Sequence, residues 1–386
     1  MARSNVAPDP VLLTSILPET DQQLSTEIWK QNWDQCVFKA VPDAAEATPK
    51  VVRLVRMNKR PSRFQVVSAM QQIAAIVIPN LAPQISRTGT AANQQGELFE
   101  FCVMDYMEGV PLVQVWEQMP AEDQETVVAA LIEALRLLHT LRLFDDKVQA
   151  ILQTGNVPPG AVMGGPSTGF LEDGPSLLQA VTEKLRLKSA FHTSTDTTCP
   201  DGVVIQSDFS DLGSVTLEDT TMGRWANEAV FCHNDLNPGN VIVRPSHTVD
   251  GTTRYCLAAI IDWELSGFYP PSYELSLQDT YLSSANRLVT YYLLLKRGME
   301  RIVPHTTPQE SLLRALEILF ESQQRRLLEG TNIPARIRQR FLKQAGLHRD
   351  KNLYLGWTQK CSKPSPSLAE SQEMEDRVVE EMTARR

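Results

Sequence analysis

The chain has 386 residues, 42% of them hydrophobic and 22% charged, which is enough apolar material for one bilobal enzyme or two domains around a cleft and excludes a disordered chain. Lys and Arg number 37 against 46 Asp and Glu, a net charge of −9, which disfavours nucleic-acid backbones and anionic membranes as partners. No apolar run reaches the about 18 residues of a membrane span, and none has signal-peptide form, so a soluble, cytoplasmic protein with no membrane partner is expected.

Six cysteines, Cys36, Cys102, Cys199, Cys232, Cys256 and Cys361, show no C-x-x-C pairing and read as reduced thiols rather than zinc ligands. The basic run from Arg53 to Arg63 sits among strand-like residues and reads as a solvated strand edge and turn.

In chain order, Leu17-Pro18-Glu19-Thr20-Asp21 resembles a cap, and Gln22 to Lys30 is expected as a helix closing an N-terminal helical extension, residues 1–30. The runs CVFKAV (Cys36 to Val41) and KVVRLVRM (Lys50 to Met57) predict a hairpin, Arg63 to Ala75 a helix, and LFEFCVMDYM (Leu98 to Met107) a strand ending at the turn Glu108-Gly109-Val110-Pro111. From Glu122 to Leu143 the apolar residues recur at helical spacing. A strand-rich part, residues 31–107, therefore gives way near residue 107 to a mainly helical part, residues 108–358.

Within the second part, 154–175 and 192–224 read as loops around a helix from Ser176 to Leu187. Short strands follow at Ala229 to Cys232, Val241 to Pro245 and Tyr255 to Trp263, with a turn at Asp250-Gly251-Thr252-Thr253. Helices are expected from Ser276 to Arg301 and from Glu310 to Glu329, and a disordered tail from 359 to 386.

The chemistry is concentrated in VFCHNDLNPGNVIVRP, Val230 to Pro245, and IIDWE, Ile260 to Glu264. Asp235 and Asn240 stand five positions apart in one loop, and Asp262 arrives from the far end of a hairpin. That pattern suits metal-assisted phosphoryl transfer, with Asp235 orienting and deprotonating an acceptor hydroxyl while Asn240 and Asp262 hold Mg2+ against the nucleotide phosphates. The bland reading makes Asp235, Asn237 and Asn240 turn-formers; for His233 a loop-bracing role is preferred over proton transfer.

His233-Asn234-Asp235-Leu236-Asn237-Pro238-Gly239-Asn240 and Ile261-Asp262-Trp263-Glu264 resemble the H-G-D-x-x-x-x-N and I-D-W-E motifs of the aminoglycoside phosphotransferase and choline kinase branch of the protein-kinase-like fold, over roughly residues 30 to 330. The resemblance implies an α+β bilobal architecture, with a small antiparallel N-lobe sheet and a larger, mainly helical C-lobe. It implies ATP and Mg2+ as cofactors, a small-molecule acceptor, and a connector at Met104-Asp105-Tyr106-Met107 whose backbone meets the adenine.

The sequence departs from that pattern in the N-lobe. Related kinases carry a phosphate-pairing lysine on the third strand and a helix glutamate as its partner; here Arg53 and Gln65 are the counterparts, and an arginine fork is not interchangeable with an ammonium. No glycine precedes Gly89, so a Gly-rich phosphate cover is absent from the first hairpin, and Asn32-Trp33-Asp34-Gln35 is either its replacement or an ordinary turn. Asn234 stands where glycine is usual and Asn237 where histidine is frequent.

Gly164-Gly165-Pro166 and Gly174-Pro175 either rim a substrate site or only turn the chain. Trp116 and Trp225 read as core rather than ligand contacts, and Asp208, Asp211, Glu218 and Asp219 as a solvated charge run rather than a lure for a cationic substrate. The leading functional expectation is an ATP-dependent kinase of a small-molecule hydroxyl. The alternative is a catalytically silent kinase-like binding module, and a protein kinase comes third because no A-P-E-type segment follows Asp262. The acceptor and the oligomeric state are not legible.

Overall fold

A computed structural model describes residues 5–18, 24–43, 48–57, 64–152, 157–184, 190–195, 202–247, 253–359 and 364–384, the His247 side chain excepted. The N-terminal part is built on a five-stranded antiparallel sheet in the order β1-β2-β3-β5-β4, from β1 (Leu24–Gln31), β2 (Gln35–Pro42), β3 (Lys50–Arg56), β4 (Ile85–Ala92) and β5 (Leu98–Asp105). Alternation sorts its two faces. Cys36, Phe38, Ala40, Val52, Leu54, Phe99, Phe101 and Val103 point to one side, where the short helix α1 (Pro10–Ile16) covers them with Leu12 and Ile16. Asp9 caps α1 by accepting the Leu12 N–H at 2.8 Å. The opposite face carries Val37, Lys39, Arg53 and Cys102 and faces helix α2 (Phe64–Ala75), where Ser68 meets the Cys102 thiol.

The C-terminal part continues through β6 (Val110–Pro111), α3 (Leu112–Val115), α4 (Ala121–Leu138), α5 (Asp146–Leu152), β7 (Met163–Gly165), β8 (Gly169–Leu171), α6 (Gly174–Lys184), β9 (Phe191–Thr195), β10 (Val203–Ser207), β11 (Ser214–Leu217) and α7 (Asp219–Glu228). Then come β12 (Val230–Cys232), β13 (Val241–His247), β14 (Thr253–Ile260), β15 (Gly267–Tyr269), α8 (Pro271–Tyr281), α9 (Val289–Glu300), α10 (Thr307–Glu329), α11 (Ile333–Gln344), β16 (Leu347–Arg349), β17 (Trp357–Gln359) and α12 (Leu368–Thr383). The α+β architecture expected from the sequence is observed. The largest core joins α2, α4 and α9 to Phe231, Leu236, Val241, Ile260 and Trp263, so the motif segments sit directly on packed side chains. Among the described residues no helix is long and apolar enough to cross a membrane.

Four local expectations are corrected. The N-terminal extension ends in a strand rather than a helix: residues 24–31 form β1, paired with β2 from Leu24↔Pro42 to Gln31↔Cys36. β1 is an edge strand with almost every side chain exposed, so it carries no apolar period and its identity rests on backbone pairing; residues 19–23 lie outside the described residues. The expected tail is helix α12, opened by a capping box in which Ser367 and Glu370 exchange hydrogen bonds. Its Met374, Val378 and Met382 recur every fourth residue and pack with Phe341, Leu342, Val289 and Tyr292.

The described residues of the stretch 192–224 belong to the three-stranded sheet β9 to β11 and helix α7, with the sheet laid on α10. The single helix expected over 276–301 is two, α8 and α9, separated by a tight turn in which Ser283 adopts φ 72°. Cys199, Cys361 and most of the turn at 250–253 lie outside the described residues, Thr253 alone beginning β14.

Candidate active site

The two motif segments meet because β13 and β14 form one hairpin. Val241 pairs with Ile260, so Asn240 and Ile261 flank its open end, where the Ile261 N–H donates to the Asn240 carbonyl at 2.9 Å. Asp262, the next residue, is thereby delivered beside the loop that carries Asp235.

Within the loop, Leu236 and Pro238 are buried while Asp235, Asn237, Gly239 and Asn240 reach the surface. The Asp235 carboxylate is held from two sides: Asn237 Nδ2 donates to Oδ1 at 2.8 Å, and Asn240 Nδ2 donates to Oδ2 at 2.8 Å and to the Asp235 carbonyl at 3.0 Å. These partners fix both amide orientations. Asn240 faces only acceptors with its nitrogen, and Asn237 Oδ1 accepts the Gly239 N–H at 2.9 Å. The Asn240 carbonyl oxygen consequently points away from Asp235.

His233 braces this loop, as its sequence context led us to expect. Its Nδ1 accepts the Asp235 N–H at 3.1 Å, which places the ring proton on Nε2, 3.0 Å from the Ile261 carbonyl. The ring also packs edge-on against Trp263, 4.5 Å between centroids. Burial holds its pKa below the ordinary histidine range despite the nearby carboxylates of Glu274 and Asp235.

Glu274, on the first turn of α8, is wholly buried and was not singled out from the sequence. Its Oε1 accepts the N–H groups of His233 and Asn234, each at 2.7 Å. Asn234 takes φ 64°, a left-handed conformation that asparagine tolerates better than most residues, and its carbonyl accepts the Tyr281 hydroxyl. Its Nδ2 donates to the Leu265 carbonyl at 3.0 Å. Glu274 Oε2 lies 3.4 Å from His139 Nε2, and Cys232 completes this buried group. Burial, reinforced by Glu274, pushes the Cys232 thiol well up; protonated, it packs as a small apolar side chain.

Asp262 also sits in the left-handed region, φ 65° and ψ 65°, a strain that recurs at functional sites. Solvent reaches its side chain, yet enough protein crowds the carboxyl that desolvation, helped by Glu264, raises its pKa to about 6; Arg53 and Lys30 act in the opposite direction. Arg53, on β3, pairs with Glu264 at 2.8 Å. Gln65, the partner expected from the helix, is exposed on α2, and Arg53 is held instead from the segment that carries Asp262. Nothing in the sequence around Gln65 signalled this, because the partner lies 211 positions away.

A sequence model of the phosphotransferase enzyme family (APH) matches residues 33–278. The chain belongs to that family. No curated protein sequence matches it. Among solved structures it is similar to the GDP complex of an aminoglycoside 2'-phosphotransferase-IIIa mutant, at 13% identity over 96% of both chains with a TM-score of 0.43. It is also similar to the streptomycin–ATP ternary complex of APH(2")-IIa, at 13% identity over 98% of this chain and 97% of that one, TM-score 0.41. An amicoumacin kinase in complex with AMP-PNP, Ca2+ and Ami is a third, at 11% identity over 96% and 90%, TM-score 0.40.

In this phosphotransferase the segment expected from the sequence as a connector straddles the end of β5: Met104 and Asp105 close the strand, and Tyr106 and Met107 follow it. The Asp105 N–H donates to the Gln84 carbonyl at 3.0 Å and its carboxylate pairs with Lys50 at 2.8 Å. Met104 lies in the sheet with its sulfur near Gln71, and Met107 packs against the cluster of Ile242, Ala258 and Ala259. The Tyr106 ring lies between Trp29, 6.0 Å between centroids, and the Lys39 ammonium, 3.9 Å above the ring.

The remaining sequence candidates fall elsewhere. Trp116 and Trp225 are buried, donating to Thr290 Oγ1 at 2.8 Å and the Pro308 carbonyl at 2.9 Å. Asp208 is paired with Arg326 and His192, and Asp211 with Arg325. At Gly165 a Cβ would stand 2.5 Å from the Ser266 carbonyl oxygen, so this glycine permits the close approach of β7 to β15.

Proposed function

We propose that the chain is a kinase that transfers the terminal phosphoryl group of Mg2+-ATP to a hydroxyl of a small molecule. The observation that carries this reading is the orientation of Asn240: its amide nitrogen is spent on Asp235, which leaves its side-chain carbonyl oxygen without a hydrogen-bond partner among the described residues, at the end of the hairpin that delivers Asp262. One amide oxygen and one carboxylate are hard donors suited to Mg2+, which keeps several waters and needs few protein ligands. When bound there, the ion would neutralise charge on the phosphates.

The rest falls to the protein's own groups. Asp235, aimed by two amide donors, takes the proton of the acceptor hydroxyl as its oxygen attacks the terminal phosphorus and the nucleoside diphosphate leaves. Arg53 offers its guanidinium to the phosphates. The adenine edge is left the Asp105 carbonyl and the Met107 N–H of the connector, since the Asp105 N–H is already used inside the N-lobe.

One observation favours a silent binding module instead: α2 has no acidic side chain, and Arg53 is engaged by Glu264 where a phosphate would have to compete. Thermal shift with Mg2+-ATP separates the two readings. Wild type is expected to gain stability and Asp262→Ala to lose that gain, and no gain in the wild-type protein overturns nucleotide binding altogether. Steady-state turnover of ATP with hydroxyl-bearing metabolites then tests catalysis.

A further inference from the structure

A bulge in the first strand changes what the N-lobe presents to the cleft. β1 and β2 pair regularly up to Ile28↔Phe38, after which the register slips by one residue and resumes at Lys30↔Val37. Without the slip Lys30 would stand opposite Cys36, on the face packed against α1, because side chains alternate strictly along a strand. With it, Lys30 joins the row Lys30↔Val37↔Arg53, on the side of the sheet from which Arg53 reaches Glu264. Strands about 5 Å apart put the two cationic residues roughly 10 Å apart across this roof, with Val37 between them. Bulges next to sites commonly re-aim a side chain in this way. Trp29, the extra residue, turns its ring to Tyr106 of the connector.

The floor opposite is acidic: Arg53, in the same row as Lys30, reaches Glu264 at 2.8 Å, two residues beyond Asp262. Arg53 is already engaged by Glu264, whereas Lys30 has no ion-pair partner among the described residues. The hairpin turn beyond it contains no glycine: Asn32 Oδ1 accepts the N–H groups of Asp34 and Gln35, each at 2.8 Å. Those amides are therefore spent inside the turn and cannot cradle a phosphate.

We propose that Lys30 is a phosphate-binding residue of this enzyme, the cation with which a glycine-free hairpin holds the β- and γ-phosphates of a nucleoside triphosphate. The assignment rests on the nucleotide reading above. A mobile ammonium on an edge strand supplies charge without close backbone approach, which explains why no glycine is needed there.

The test is calorimetric titration of wild type, Lys30→Gln and Lys30→Arg with Mg2+-ATP and separately with AMP. Lys30→Gln is expected to weaken Mg2+-ATP about tenfold, one charge-assisted contact, while AMP affinity and the unfolding midpoint stay unchanged and Lys30→Arg retains most of the ATP affinity. Equal ATP affinity in wild type and Lys30→Gln overturns the assignment alone and returns Lys30 to an ordinary edge-strand lysine. Equal weakening of ATP and AMP also overturns it, tracing the effect to Trp29 and the connector. Wild type that binds neither ligand sinks the nucleotide reading and this proposal together.

Discussion

The guanidinium of Arg53 and the carboxylate of Glu264 meet at 2.8 Å across 211 positions of sequence, tying the roof of the cleft to the turn that carries Asp262. Both side chains are partly exposed, so the pair adds little to stability, under about 1 kcal/mol. Its value lies in aim. Glu264→Gln is expected to leave urea unfolding nearly unchanged and to lower kcat/KM for ATP; a large loss of stability with normal kinetics would assign the pair a structural role.

Asp235→Asn places an amide where two amide nitrogens now donate to a carboxylate. One of the new contacts must set N–H against N–H, which costs about 1–3 kcal/mol. If Asp235 takes the proton as proposed, the variant is expected to lower kcat by roughly 10^2- to 10^4-fold while ATP affinity changes little. Retained turnover would remove Asp235 from the proton transfer.

Glu274 is the most consequential residue behind the loop. Glu274→Ala strands two buried N–H groups, those of His233 and Asn234, and should destabilise the protein by about 2–5 kcal/mol. Glu274→Gln keeps an acceptor and should recover much of that loss in the same chemical denaturation series.

Acid stability depends on a second buried cluster. Asp279 meets Lys296 at 2.9 Å and Arg349 at 2.6 Å, and Glu321 meets Arg338 and Arg349, each at 2.8 Å. Burial alone would raise both carboxyls, but these cations outweigh it and hold them below their ordinary ranges. Lys296, fully buried beside one close carboxylate, is itself shifted down by desolvation. A lowered folded-state pKa gives stability that is complete above the unfolded carboxyl range, about pH 4, and is lost as pH falls through the folded values. Unfolding midpoints should therefore drop steeply below about pH 4, and Glu321→Gln should flatten that drop; an unchanged slope would detach the cluster from acid unfolding.

The C-terminal helix is structural. Met374→Ala removes a side chain buried among α9, α11 and α12 and should cost about 2–4 kcal/mol in urea unfolding; no measurable cost would mean that α12 does not dock.

What the sequence determined by itself was the family, through its two motifs, and the local elements that carry those motifs. Asp235, Asn240 and Asp262 were legible because a loop and a hairpin are short-range devices, and β2, β3 and β5 because alternation is written into consecutive residues. Partnerships were decided only by the tertiary structure. Glu264 rather than Gln65 holds Arg53, Glu274 holds the loop from beneath, and β1 and α12 exist because β2 and α11 offer them pairing and apolar surface. Such choices depend on which distant surfaces become neighbours once the core closes, and an ion pair or a one-residue slip of register leaves no periodic trace along the chain.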